Sequence, residues 1–163
     1  MRTLTWLAVA VVLGLFGARG ARADEEKVPL DKVPREVMEA VKARFPGAKL
    51  HGASTEKEDG KTVYEISLTY KDHHHDVTLQ TDGKIVSIER TIPAKDLPKP
   101  VAEALEARYS KATYKIIEEL LKGDGKLYGY EVLLITAKKK KLEVVLDPDG
   151  KIVKEEKKGK DDD

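Results

Sequence analysis

Apolar positions change their period along this chain, and the changes mark its elements. Val37, Val41 and Phe45 recur at i, i+4 and i+8, as do Val101, Leu105 and Tyr109. That spacing predicts two helices, each laying a narrow apolar stripe on a core. Pro34 and Pro98 suit the first helical turn, where a missing N–H costs nothing. "FPGA" (Phe45 to Ala48) supplies a stop for the first helix, whereas the second reads "YSKA" (Tyr109 to Ala112), so a softer end is expected there. Beyond the helices the period falls to two. Tyr64, Ile66, Leu68 and Tyr70 alternate with Glu65, Ser67 and Thr69, and Val77 and Leu79 alternate with Asp76, Thr78 and Gln80, which predicts half-buried strands. Asp82-Gly83 and Asp149-Gly150 are hairpin-turn dipeptides leading into strands over 84–90 and 151–155. A weaker strand is expected over 49–57.

The pattern occurs twice. Residues 33–48 match 97–112 without a gap at an offset of 64; "YEISL" (Tyr64 to Leu68) matches "YEVLL" (Tyr130 to Leu134) at 66; "VTLQTDGKIV" (Val77 to Val86) matches "VVLDPDGKIV" (Val144 to Val153) at 67. Three blocks held in register argue for a tandem duplication. The segment "TYKIIEELLK" (Thr113 to Lys122) is helical by propensity, but its alignment with the weak strand after the first helix makes it a strand. The expected fold is therefore α+β, two tandem units over 24–92 and 93–156. Each is one helix packed on a four-stranded antiparallel sheet.

A helix ending in "FPGA", followed by "YEI" and then "V-x-L-x-x-DGKI", resembles the PepSY-like domains of exported bacterial proteins, which share the fold of the beta-lactamase inhibitor protein. The resemblance extends over nearly all of the chain after residue 23, once per unit, and departs at "YSKA". It implies a protein-binding or inhibitory module without catalysis, and it carries no active-site residue or cofactor with it.

Charge and targeting narrow the setting. Residues 1–23 combine Arg2, an apolar run from Leu4 to Phe16, and Ala21-Arg22-Ala23. That composition is a signal peptide with cleavage expected after Ala23; the apolar run is shorter than the roughly 20 residues that span a bilayer. Cleavage leaves 140 of the 163 residues and removes three arginines, taking 30 basic residues to 27 against 29 acidic ones, a formal charge of −2. Such a balance lacks the basic footprint of a nucleic-acid binder. An exported chain without cysteine relies on its core rather than on disulfides. The end, "KEEKKGKDDD" (Lys154 to Asp163), has no apolar residue to bury and is expected to be a disordered charged tail, with the domain boundary set at 157–163.

Candidate chemistry is sparse. Ser54, Ser67, Ser87 and Ser110 stand in no nucleophile context, and acid pairs such as Glu118-Glu119 are expected from composition alone, so no enzyme activity and no cofactor are expected. His73-His74-His75 has two readings. One is a hydrated hairpin loop, filled by Lys138 to Lys141 in the second unit. The other is a metal site in which His73 and His75 share an ion, which would make the chain a periplasmic metal-binding protein. "DPDG" (Asp147 to Gly150) is a turn, because Lys158 stands where a calcium loop needs its glutamate.

The two predicted sheets differ on the face turned from their helices. At the offsets above, Ser67, Thr69 and Thr78 become Leu133, Ile135 and Val145. An apolar cluster there, flanked by Glu131, is a partner-binding patch for another exported protein or peptide, or a homodimer contact. The competing reading is that segment 91–100, or the other sheet, folds over it and makes it core. For the leader, the expected outcome is an intact mass of the exported protein that begins at or near Asp24; a retained Met1 would exclude cleavage at Ala23.

Overall fold

The computed structural model describes residues 26–58 and 60–159, so the leader and the last four residues of the tail lie outside the described residues. A short strand β1 (Glu26–Val28) precedes helix α1 (Arg35–Arg44) and strands β2 (Lys49–Glu58), β3 (Lys61–Tyr70), β4 (His73–Gln80) and β5 (Ile85–Thr91). Helix α2 (Lys99–Arg108) then leads into β6 (Thr113–Lys122), β7 (Leu127–Ile135), β8 (Lys141–Leu146) and β9 (Ile152–Lys157). Thr113–Lys122 is thus a strand.

The expected pair of tandem units, each a helix on its own four-stranded sheet, is overturned. Among the described residues, all nine strands form one antiparallel sheet in the order β1 to β9, with two α-helices. The strands that would have been edges, β5 and β6, pair over five residues from Ser87↔Lys122 to Thr91↔Glu118. Left apart, each would present a row of unsatisfied N–H and C=O groups; pairing satisfies both rows at once. The seam is extended by Ile92 N–H donating to Ile117 O at 2.9 Å and Gly123 N–H donating to Val86 O at 2.9 Å. Arg90 Nε donates to Glu119 Oε2 across it at 2.8 Å. Side chains cross it as well: Leu121 packs on the cluster under α1, and Ile92 belongs to the one under α2.

Both helices keep their stripes. Val37, Val41, Val101 and Leu105 are fully buried, with Phe45 and Tyr109 nearly so. They cover one sheet face, meeting Ile66, Leu68, Val77 and Leu79 under α1 and Val132, Leu134, Val144 and Leu146 under α2. Pro34 and Pro98 sit at the N-caps, one position outside the helices proper. The expected softer end of α2 is not seen: both helices run for ten residues and end on an aromatic C-cap, Phe45 or Tyr109, whose N–H returns to Val41 O or Leu105 O at 2.8 Å. Lys111 takes the left-handed conformation (φ 62°) where the first half uses Gly47 (φ 79°).

The recurring Asp-Gly turns have a packing cause. A Cβ at Gly83 would lie 2.5 Å from Glu36 O, and one at Gly150 would lie 2.4 Å from Pro100 O. Each hairpin tip is therefore pressed against the first turn of a helix, where only glycine fits the contact and the positive φ. The strand expected over 151–155 is present as β9 and runs on to Lys157, so residues 156 and 157, read as the start of a charged tail, instead add charge to an edge strand and discourage further strand pairing.

The seam makes a stability prediction. A methyl group at Gly123 would stand 1.9 Å from Ile85 O, whereas one at Gly52 meets nothing within 4 Å. Gly123→Ala should cost about 1–3 kcal/mol in denaturant unfolding, and Gly52→Ala should stay within about 0.5 kcal/mol. Equal stability of the two variants would show that β5 and β6 are not tightly joined.

Candidate functional site

Strand alternation assigns the sheet face turned away from the helices. Glu65, Ser67 and Thr69 of β3 stand there opposite Thr78, Asp76 and His74 of β4. On the other half, Glu131, Leu133 and Ile135 of β7 stand opposite Val145, Glu143 and Lys141 of β8. Because the sheet is continuous, these residues share one surface.

Carboxylates run across it from β4 to the edge strand β9. Asp76 faces Glu89, Glu118 faces Glu131, and Glu143 faces Glu156, each as a direct cross-strand pair. Asp76, Glu118 and Glu143 are each at most 3% exposed. Like charges opposed in this way need compensation. Lys158 Nζ lies 2.8 Å from Glu143 Oε2, Lys154 Nζ lies 2.9 Å from Glu156 Oε2, and Thr91 Oγ1 donates to Glu118 Oε1 at 3.3 Å. The lysine contact holds the Glu156 carboxyl below its usual range. Glu118 and Glu119, dismissed as compositional, thus point to opposite faces, Glu119 meeting Arg90 on the helix side. Their signal was period-two placement rather than adjacency.

At one end the chemistry inverts. Ile116 (38% exposed), Leu133 and Ile135 line a cleft of about 740 Å³ with Lys115, Lys139, Lys140, Lys141, Lys157 and Lys158. Ile116 is the residue that sequence periodicity missed. A bulge between Tyr114 and Ile116 shifts the phase of β6 and turns Ile116 onto this face opposite Leu133. Of the four residues expected to bind a partner, Leu133 and Ile135 are half-buried and lie in the cleft. Val145 (1% exposed) and Glu131 (7% exposed) face the same way, paired with each other, but do not line it. Segment 91–100 instead leads toward α2, with Ile92 and Leu97 packed in the α2 core.

The histidines are not a loop. The turn is Lys71-Asp72, both with positive φ, and His73–His75 open strand β4. Their faces alternate. His73 Nδ1 contacts Thr91 O at 2.8 Å, and His75 Nδ1 contacts His73 O at 3.0 Å, its ring lying 5.4 Å from that of Phe45 and 6.3 Å from that of Tyr70. Among the described residues no group of three or more His, Asp or Glu is arranged to hold a metal ion. His74 takes the opposite face, its Nε2 lying 3.3 Å from Ser67 Oγ and 3.2 Å from Asp76 Oδ2. This trio has the composition of a serine triad without its geometry. Hydroxyl and carboxylate approach the same ring nitrogen, whereas proton transfer needs them on opposite nitrogens.

Comparisons with known proteins fit this architecture. Residues 34–89 match the peptidase propeptide and YPEB domain family, PepSY, and residues 75–154 match the beta-lactamase-inhibitor-like, PepSY-like family. A protein of Bacteroides eggerthii described as a candidate periplasmic protein shares the fold with a TM-score of 0.65 at 14% identity, covering 77% of this chain and 88% of its own. A DUF2874 family protein of Bacteroides uniformis gives 0.64 at 17%, covering 76% and 88%. A BLIP-like protein of Bacteroides fragilis gives 0.60 at 16%, covering 82% and 92%. No curated protein matches the sequence.

The buried histidine carries a pH prediction. Burial pushes the His75 pKa below 6.5, outweighing the hydrogen bond to the His73 carbonyl, which raises it. The unfolded chain therefore binds a proton before the folded one does. The stability contribution is complete above pH 6.5 and is lost as the pH falls through and below that value. Leu142 occupies the position 67 residues later, so His75→Leu copies a residue this sheet already buries. Between pH 7.5 and 5.5 the parent Tm should fall by more than that of His75→Leu. Equal falls would mean that His75 is not held neutral by the core.

Proposed function

The chain carries PepSY and PepSY-like domains, and on that premise we propose that it is an exported, non-catalytic protein that binds another exported protein through the sheet face turned from its helices. Inhibition of the bound protein is part of this reading, as is residence in the periplasm or outside the cell after removal of the leader at Ala23. The observation that carries the proposal is the cleft floored by Ile116, Leu133 and Ile135. Apolar side chains on a face that no helix covers are costly to leave in water and gain by meeting a partner. Leu133 and Ile135 make the contact, with Val145 and Glu131 beside them on the same face. Among the described residues no helix is long and apolar enough to cross a membrane.

The test copies one half of the sheet onto the other. Ser67 and Thr69 stand where Leu133 and Ile135 stand 66 residues later, so the double change Leu133→Ser with Ile135→Thr restores side chains this strand geometry already accepts. Unfolding midpoints should remain within about 0.5 kcal/mol of the parent. The partner recovered with the parent from a native envelope fraction should be absent with the variant. A loss of about 2–5 kcal/mol would make the pair ordinary core, and retained capture would place the contact elsewhere.

A further inference from the structure

We infer that the cleft at Ile116, Leu133 and Ile135 recognises an acidic segment that carries apolar anchors, an extended stretch of the partner in which Leu-like side chains alternate with Asp or Glu. This rests on the sheet-face reading above and specifies the chemistry of its partner. The floor is apolar and every charge that lines the cleft is positive. Among the described residues, Lys115, Lys139, Lys140 and Lys157 make no ion pair, so a carboxylate arriving at the rim displaces no internal partner from them. Their placement is specific to this end of the sheet. At offsets of 64 to 67 the positions of Lys115, Ile116, Leu133, Ile135 and Lys140 are held by His51, Gly52, Ser67, Thr69 and His73. The other end therefore has neither the apolar floor nor the fixed charge. His51 and Thr69 are instead bonded to each other at 2.7 Å.

Charge complementarity also fixes where the segment stops. The carboxylates of Glu118 and Glu131 border the cleft toward the middle of the face, so an acidic partner is attracted to the lysine end and repelled from sliding inward. A strand-like segment suits such a site, because alternation sends its apolar side chains to the floor and its acids toward the rim. The cleft volume, about 740 Å³, is that of a site holding a few side chains rather than a whole domain.

The experiment titrates three blocked synthetic heptapeptides into isotopically labelled protein lacking the leader. One alternates Asp and Leu, one alternates Asp and Ser, and one alternates Lys and Leu. The Asp-Leu peptide should shift the NMR signals of Ile116, Leu133 and Ile135, with binding that weakens as salt is raised. The other two should bind at least about tenfold more weakly, the first having lost its buried side chains and the second its charge match. Lys139→Gln with Lys140→Gln, both on an exposed turn, should weaken the Asp-Leu peptide about two- to fivefold per charge without changing the Tm. Equal binding of the Lys-Leu peptide, shifts elsewhere on the protein, or binding to phosphatidylglycerol vesicles in place of the peptide would overturn the inference. If no peptide binds while the Leu133→Ser, Ile135→Thr variant still loses its envelope partner, the acidic chemistry is wrong and the sheet-face contact stands. If that variant also keeps its partner, both readings fail.

Discussion

Five backbone pairings between β5 and β6 decide what kind of surface this protein presents. Two four-stranded sheets with separate edges would each offer a narrow outer face and two exposed ladders. Joined along Ser87–Thr91 and Glu118–Lys122, they form one face that runs without interruption through the acidic middle to the lysine-rimmed cleft. The seam is reinforced by side-chain exchange, since Leu121 and Ile92 each pack on the cluster associated with the other half. It tolerates little change, because the Gly123 backbone closes against Ile85 O at a distance that leaves no room for a Cβ.

The helix side and the outer side obey different constraints. On the helix side, Val41 and Leu105 are fully buried, and Gly83 and Gly150 touch the backbone of a helical first turn. A change there creates a cavity or a clash, each worth roughly 1–5 kcal/mol. On the outer side the paired positions differ freely: Gly52 against Ile116, His51 against Lys115, Ser67 against Leu133, Thr69 against Ile135. The same backbone thus carries a polar end and an apolar cationic end, with the difference confined to residues that no helix contacts.

Period-based reading recovers whatever a single face dictates. The two stripes, the alternation of β3 and β4, and the glycine turns all follow from burial on the helix side and were legible. β6 was not legible by period alone, because Ile116 and Leu120 lie on one face, Ile117 and Leu121 on the other, and bulges after Tyr114 and Leu120 reset the phase. The mixture imitates a helix, and only comparison with the earlier strand identifies it. Continuity of the sheet left no periodic trace, since backbone groups that are the same for every residue make the β5–β6 ladder. For the same reason β1, three residues long, was not anticipated. His73–His75 misled because three imidazoles look like a polar loop; the turn is made by Lys71 and Asp72, and the core accepts the His75 ring beside Phe45 and Tyr70.

The candidate site was half legible for a related reason. Comparing the halves position by position exposes Leu133 and Ile135, because a polar-to-apolar change on an outward position survives alignment. It cannot say which outward residues gather into a concavity. Val145 and Glu131 point the same way yet sit in the row beside the cleft, while Ile116 enters it through a bulge. Of the cleft lysines, only those of the 138–141 run were weighed, as part of a hydrated hairpin loop. The grouping at the cleft is assembled from three separate segments, with Lys115 from β6, Lys139 and Lys140 from the β7–β8 turn, and Lys157 from β9. A charge run that is local in sequence is ordinarily solvated and uninformative, whereas charges brought together by four neighbouring strands around an apolar floor define a field with a direction. That field, positive at the cleft and negative in the middle of the face, restricts both which partner can approach and where it comes to rest.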